Sequence, residues 1–182
     1  MSSKQKVFHI DTNYFIFYLQ GKLNVFNSGE AKYTNKEIMD HASTAARMLD
    51  ILKKQNVKIR LSFLVVGELL TEFLNNPTKE RDTGIKTRLL IENLKYFEIW
   101  KPDKKDLPNI SDFLKFIISD HDKFFESYIN DATDYILLAA AFADKESNGF
   151  LTFDGDIINN KQISDFIKNK KEFIINSSPN DL

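Results

Sequence analysis

The run Lys6-Val7-Phe8-His9-Ile10-Asp11-Thr12-Asn13-Tyr14-Phe15-Ile16-Phe17-Tyr18-Leu19 changes character twice. Residues 6–10 form a short, mostly apolar stretch of strand length. Asp11-Thr12-Asn13 is a polar turn, and residues 14–19 resume an apolar chain that suits a helix. A strand that passes through one acidic turn directly into a helix is the opening of an α/β unit, and the rest of the chain follows the same pattern.

Thr34-Asn35-Lys36-Glu37 has the form of a capping box. It opens an amphipathic helix to Lys54 in which Ile38, Ala42, Ala45, Ala46, Leu49 and Leu52 recur at helical spacing. Residues 58–64 suit a second strand. Residues 66–74 suit a helix ended by Asn75-Asn76-Pro77, which puts Glu68 just inside it. A long charge-rich helical pattern covers 78–95, a short strand 96–100, and Pro102 and Pro108 bracket a loop. Helices are expected at 111–128, with a break near Ser119-Asp120, at 131–145 and at 163–168, and strands at 149–153 and 172–175. This alternation implies an α/β fold with a central parallel sheet of about four to five strands, flanked by helices.

At 182 residues the chain suits a single domain whose core spans about residues 5–176, because apolar elements resume on both sides of every loop. With 42% hydrophobic and 28% charged residues, extensive disorder is not expected. Cysteine is absent, which excludes disulfides, thiolate metal sites and a cysteine nucleophile. No run approaches the roughly 18 apolar residues of a membrane span. Asp11 also interrupts the N-terminal stretch before a signal-like segment forms, so a cytoplasmic protein without membrane contact is expected. A net charge of −1 argues against binding nucleic acid by overall charge alone. His9, His41 and His121 lack the spacing of a helical zinc pair, so structural or surface roles are expected for them.

The acidic residues carry the chemistry. Asp11 follows the first strand, Glu68 begins the helix after the second, and Asp154 follows the strand at 149–153. In a parallel sheet these positions share the carboxyl edge, where ligands of open α/β folds bind. Asp134 would join them from the first turn of the helix at 131–145. Unit charges 4 Å apart repel by about 4 kcal/mol at an effective dielectric near 20, so a cluster of acids calls for a cation. Mg²⁺ takes oxygen ligands, keeps several waters and completes its shell with phosphate oxygen, which points to a phosphate-bearing substrate. The bland alternatives are a helix cap for Asp11, a solvated helix position for Glu68, a structural helix start for one of Asp131 and Asp134, and a simple turn at Asp154-Gly155-Asp156. Against the second of these, Glu68 stands inside the apolar run Val65-Val66-Gly67-Glu68-Leu69-Leu70.

Four stretches together resemble the PIN-domain family, and within it the VapC toxin nucleases: Ile10-Asp11-Thr12-Asn13, Leu61-Ser62-Phe63-Leu64-Val65-Val66-Gly67-Glu68-Leu69-Leu70, Asp134-Tyr135-Ile136-Leu137-Leu138-Ala139-Ala140-Ala141 and Leu151-Thr152-Phe153-Asp154-Gly155-Asp156. The resemblance implies a single PIN-like domain over residues 1–182 and metal-dependent cleavage of RNA, the toxin half of a toxin-antitoxin pair being one form of it. It assigns Mg²⁺ or Mn²⁺ to Asp11, Glu68, Asp134 and Asp154, with Asp156 as an addition and Asp131 in support. Thr12, Asn13 and Thr152 look like the polar residues that orient those acids or meet phosphate. An antitoxin protein and a homodimer are the partners it implies.

The chain departs from compact toxins by being longer between Gly21 and Thr34 and between Asn75 and Asp131, and these additions are expected to shape substrate choice, a dimer surface or antitoxin binding. Lys79, Arg81, Lys86, Arg88, Lys95, Lys101, Lys104 and Lys105 could track an RNA backbone, although a solvated face is the commoner role of such a stretch. The alternative to a ribonuclease is a catalytically silent module that binds RNA or protein. A phosphatase or receiver domain is disfavoured, because Asp11-Thr12-Asn13 has no second acid, and no GxxxxGK[ST] phosphate loop occurs.

Overall fold

A computed structural model describes residues 5–26, 36–75, 92–119 and 132–178. Val7–Ile10 forms β1, with Phe8 and Ile10 facing one side of the sheet and Val7 and His9 the other, all of them buried. Helix α1 (Thr12–Phe26) starts directly after Asp11 and continues well past residue 19, taking in the first part of the extra segment after Gly21. It packs on α2 (Lys36–Lys54), whose Ala42, Ala45, Met48, Leu49 and Leu52 are buried. Asn56, in the left-handed region at φ 57°, ends α2, and the Val57 N–H donates back to the Leu52 carbonyl at 2.9 Å.

Strand β2 (Lys58–Ser62) leads without a break into α3 (Phe63–Asn75). The helix thus starts three residues before the expected Val66, and the Leu64 N–H donates to the Ser62 hydroxyl at 3.3 Å to make the turn. After β3 (Glu98–Trp100), α4 (Leu107–Ser119) begins four residues ahead of Ser111 and includes Pro108, expected in a loop. Proline is tolerated there because first-turn N–H groups have no intrahelical partner. Helix α5 (Ala132–Ala143) follows, then β4 (Gly149–Leu151), the short α6 (Gly155–Ile158), α7 (Lys161–Lys168) and β5 (Ile174–Asn176). Most of the expected helix at 78–95 lies outside the described residues, as do Asp131 and His121.

All neighbouring strands run parallel, in the order β3-β2-β1-β4-β5, and form one five-stranded sheet. In register, Ile10 is level with Leu61 and Leu151, and Leu151 with Asn176. The residues that follow β1, β2 and β4 therefore emerge along one edge. No helix among the described residues is long and apolar enough to cross a membrane.

Helices α1 and α2 meet at Gly21, where a Cβ would stand 2.3 Å from the Ala42 carbonyl oxygen and 2.8 Å from the Ala46 methyl. Helix propensity alone favours alanine over glycine by about 1 kcal/mol. The contact reverses that sign, since overpacking costs about 1–3 kcal/mol. Gly21→Ala is therefore expected to lower the urea midpoint, and a raised midpoint would mean that the two helices can part without loss.

A buried polar network crosses the sheet on the His9 side. His9 Nε2 lies 2.8 Å from Asp144 Oδ2, the Arg60 guanidinium meets the same oxygen, and the Glu146 N–H donates to Asp144 Oδ1 at 3.0 Å. Arg60 extends outward to Glu98 at 2.9 Å and to Glu146, both exposed. Burial holds the His9 pKa below its ordinary value despite the opposing Asp144. At neutral pH the His9–Asp144 contact is thus a hydrogen bond from a neutral imidazole, and Arg60 carries the positive charge.

Candidate functional site

Asp11 sits at the junction between β1 and α1, where the change from strand to helix periodicity places it at the carboxyl edge of the central strand. Its backbone N–H continues the ladder to the Leu151 carbonyl at 3.1 Å, and one carboxylate oxygen accepts from the Tyr14 N–H. Only 1% of its surface is exposed. Tyr14 lies behind it in a ring column, stacked on Phe153 at 4.7 Å, which in turn stacks on His41 at 4.4 Å. Tyr14 Oη donates to the Ser177 carbonyl at 2.9 Å.

Burial pushes the Asp11 pKa up to about 7, and the Asp134 and Asp154 carboxylates add to the rise against hydrogen bonds from the Thr152 hydroxyl and the Tyr14 N–H. Three of the acids read from the sequence, far apart in the chain, thus lie within electrostatic reach of one another. Thr152 joins two of them: its hydroxyl is the side-chain partner of Asp11, and it accepts from the Asp154 N–H at 2.9 Å.

Asp154 also has a local task. Its Oδ1 accepts from the Asp156 N–H at 2.8 Å and, more weakly, from the Ile157 N–H at 3.4 Å, so that it caps α6. Asp156 is exposed on that helix and meets Asp154 through its backbone.

Glu68 lies in the second turn of α3, half-buried, and Thr12 Oγ1 donates to its carboxylate. Glu68 and Asp134 face the same cleft of about 760 Å³, which is walled by α1, α3 and the first turn of α5. Thr12, Asn13, Thr71 and Thr133 supply its other polar groups, and Ile16, Phe63 and Leu64 its apolar ones. Among the described residues, none that lines it is cationic.

The donors available here are carboxylates, hydroxyls and an amide, a set suited to a hard dication. Among the described residues no three His, Cys, Asp or Glu side chains are grouped so as to hold a metal ion. Mg²⁺ is commonly bound by one or two carboxylates with water and phosphate completing the shell, so the acids fit such an ion without a closed protein cage.

Of the basic residues, Lys95, Lys101, Lys104 and Lys105 are exposed, and Lys79, Arg81, Lys86 and Arg88 lie outside the described residues. Sequence reasoning passed over Phe63, a cleft residue that is 47% exposed, because an aromatic in an apolar run reads as core.

No protein-family model matches the chain, and no curated protein matches it. Among solved structures, that of VapBC2 from Rickettsia felis bound to a DNA fragment from their promoter is similar to it. The TM-score is 0.59 over 93% of this chain and 98% of that chain, at 15% sequence identity. The likeness is one of fold, and the α/β architecture of this protein, a five-stranded parallel sheet flanked by helices, is PIN-like.

Proposed function

We propose that this protein is a metal-dependent endoribonuclease, acting in the cytoplasm as the toxin of a toxin-antitoxin pair. The observation that carries the reading is that a fully buried Asp11 lies within electrostatic reach of Asp134 and Asp154 at the carboxyl edge of the sheet, beside a cleft that Glu68 and Asp134 line, with no cationic side chain in its lining among the described residues. Carboxylates within reach of one another suit a cation and, through it, a phosphodiester. The similarity in fold to a chain of a VapBC2 structure supports the toxin assignment and an antitoxin protein as partner.

In this reading Asp11, Glu68, Asp134 and Asp154 would hold Mg²⁺ or Mn²⁺. When bound, the ion would offset the charge of the scissile phosphate and acidify the attacking water. The protein's own groups arrange the acids: Thr12 holds Glu68, Thr152 ties Asp11 to the Asp154 backbone, and the Tyr14 N–H fixes the Asp11 carboxylate. Asn13, exposed and part of the cleft lining, is available to meet phosphate or ribose.

The test is incubation of the purified protein with mixed structured RNAs in Mg²⁺, Mn²⁺ or EDTA. Cleavage in either metal and none in EDTA is expected. A second reading, a PIN-like module that binds RNA or protein without cutting, draws on the absence of a three-carboxylate group among the described residues. Retention of RNA or a protein partner with no cleavage in any metal would favour that module.

A further inference from the structure

The acids are only part of the cleft lining. Beside Glu68 on α3, Phe63, Gly67 and Thr71 line the same space. They are spaced i, i+4, i+8 and therefore form one stripe along the helix.

Phe63 is the first residue of α3, held at the sheet edge by the Ser62 turn, and it is 47% exposed. Its neighbours Val65 and Leu69 are fully buried, so the core is filled without it. Among the described residues its ring contacts no other aromatic ring, whereas Phe15, Phe113, Phe142 and Phe166 all stand in ring pairs. One turn on, a Cβ at Gly67 would meet nothing within 4 Å among the described residues, so α3 is open to the cleft there. Thr71 closes the stripe, its hydroxyl donating to the Gly67 carbonyl at 2.9 Å and keeping lone pairs for another donor. An exposed aromatic ring, an adjoining open position without side chain and a nearby hydroxyl suit a flat ring with polar edges.

We propose that the Phe63–Gly67–Thr71 face of α3 is a nucleobase subsite, with Phe63 as the stacking ring, that seats one unpaired base of an RNA strand beside the acid cluster. The inference rests on the nuclease reading and adds a preference to it. A base inside a duplex has both faces covered, so the subsite selects single-stranded segments. Because stacking needs only a π-face, it orients the strand with little regard to which base is present.

The experiment uses the full chain carrying Asp11→Asn, in Mg²⁺, with unstructured oligoribonucleotides bearing 2-aminopurine at successive positions. Fluorescence quenching at one position is expected, together with a loss of that quenching and about 5- to 100-fold weaker binding in Phe63→Leu. Phe63→Tyr should keep both signals. Gly67→Leu, whose Cβ would meet no atom of the described residues within 4 Å, should weaken binding as Phe63→Leu does while leaving the melting temperature at least as high. In the cleaving parent chain, Phe63→Leu should raise KM on single-stranded RNA more than it lowers kcat. Equal binding and quenching in Phe63→Leu and Gly67→Leu, with the parent still cleaving RNA, would overturn the subsite and leave the nuclease standing. If the parent neither cleaves nor binds RNA, both readings fall.

Discussion

Asp11→Asn is expected to abolish RNA cleavage and, in EDTA, to make the protein more stable than its parent above neutral pH. Loss of an outer-shell partner of a metal alone costs about 10–100-fold in activity or affinity, so removal of a ligand carboxylate should cost at least about 100-fold. The gain in stability follows from burial. Asp11 titrates at about 7 in the folded protein against 3.8 ordinarily, so the folded state holds its proton more tightly than the unfolded chain does. The stability contributed by that proton is complete below 3.8 and is lost as pH rises through about 7. Above that window the parent carries a penalty of up to about 4 kcal/mol that asparagine does not.

Asparagine keeps an oxygen for the Tyr14 N–H, and its amide can donate to the Thr152 hydroxyl, so the local hydrogen bonds survive. Urea melts in EDTA at pH 5 and pH 8 should separate parent and variant more at pH 8. Equal midpoints at pH 8, or unchanged cleavage, would remove Asp11 from the role proposed for it.

The second large effect is expected far from the cleft. Asp144→Ala removes the acceptor shared by His9, Arg60 and the Glu146 N–H, all within a network whose central groups are at most 5% exposed. Breaking a buried ion pair on one side costs about 3–5 kcal/mol, because the remaining charge stays in the interior. Arg60 retains Glu98 and Glu146, which places the expected loss near the lower end, about 3 kcal/mol.

Burial would raise the Asp144 pKa, but the hydrogen bonds from His9, the Glu146 N–H and Arg60 outweigh it and hold the carboxyl at about 2. Its contribution is therefore full above 3.8 and disappears as pH falls through about 2. Urea titrations should show the gap between parent and variant at pH 7 and its closure in that acid range. A gap below about 1 kcal/mol at pH 7 would show that water replaces the lost carboxylate.

Both effects arise at places where the sequence spoke only in part. Asp11 was legible because the shift from strand to helix period around it is local, and the same holds for the ends of β1 and α2. The start of α3 at Phe63 was not, because Phe63, Leu64 and Val65 suit a strand as well as a helix. Only the Ser62 turn and the packing of Val65 decide between them. Pro108 misled for a related reason: a proline that breaks a helix interior is at home in its first turn.

His9 and Arg60 carried a signal, an ionisable residue at mid-strand between apolar neighbours, but no partner could be named from it. Asp144 lies 135 residues from His9. The Thr12–Glu68 contact likewise spans 56 residues.

By itself the sequence determined the order of the strands and of the longer described helices, though not the short α6, and the positions of Asp11, Glu68 and Asp154 after strands that proved parallel, because periodicity and turn chemistry act between near neighbours. The tertiary structure alone decided which of these acids share an environment, that Asp154 also caps its own short helix, that Thr12 holds Glu68, and that Phe63 faces the cleft instead of the core. Burial and the fields between charges depend on what the fold brings alongside, and that is set by contacts between residues remote in the chain.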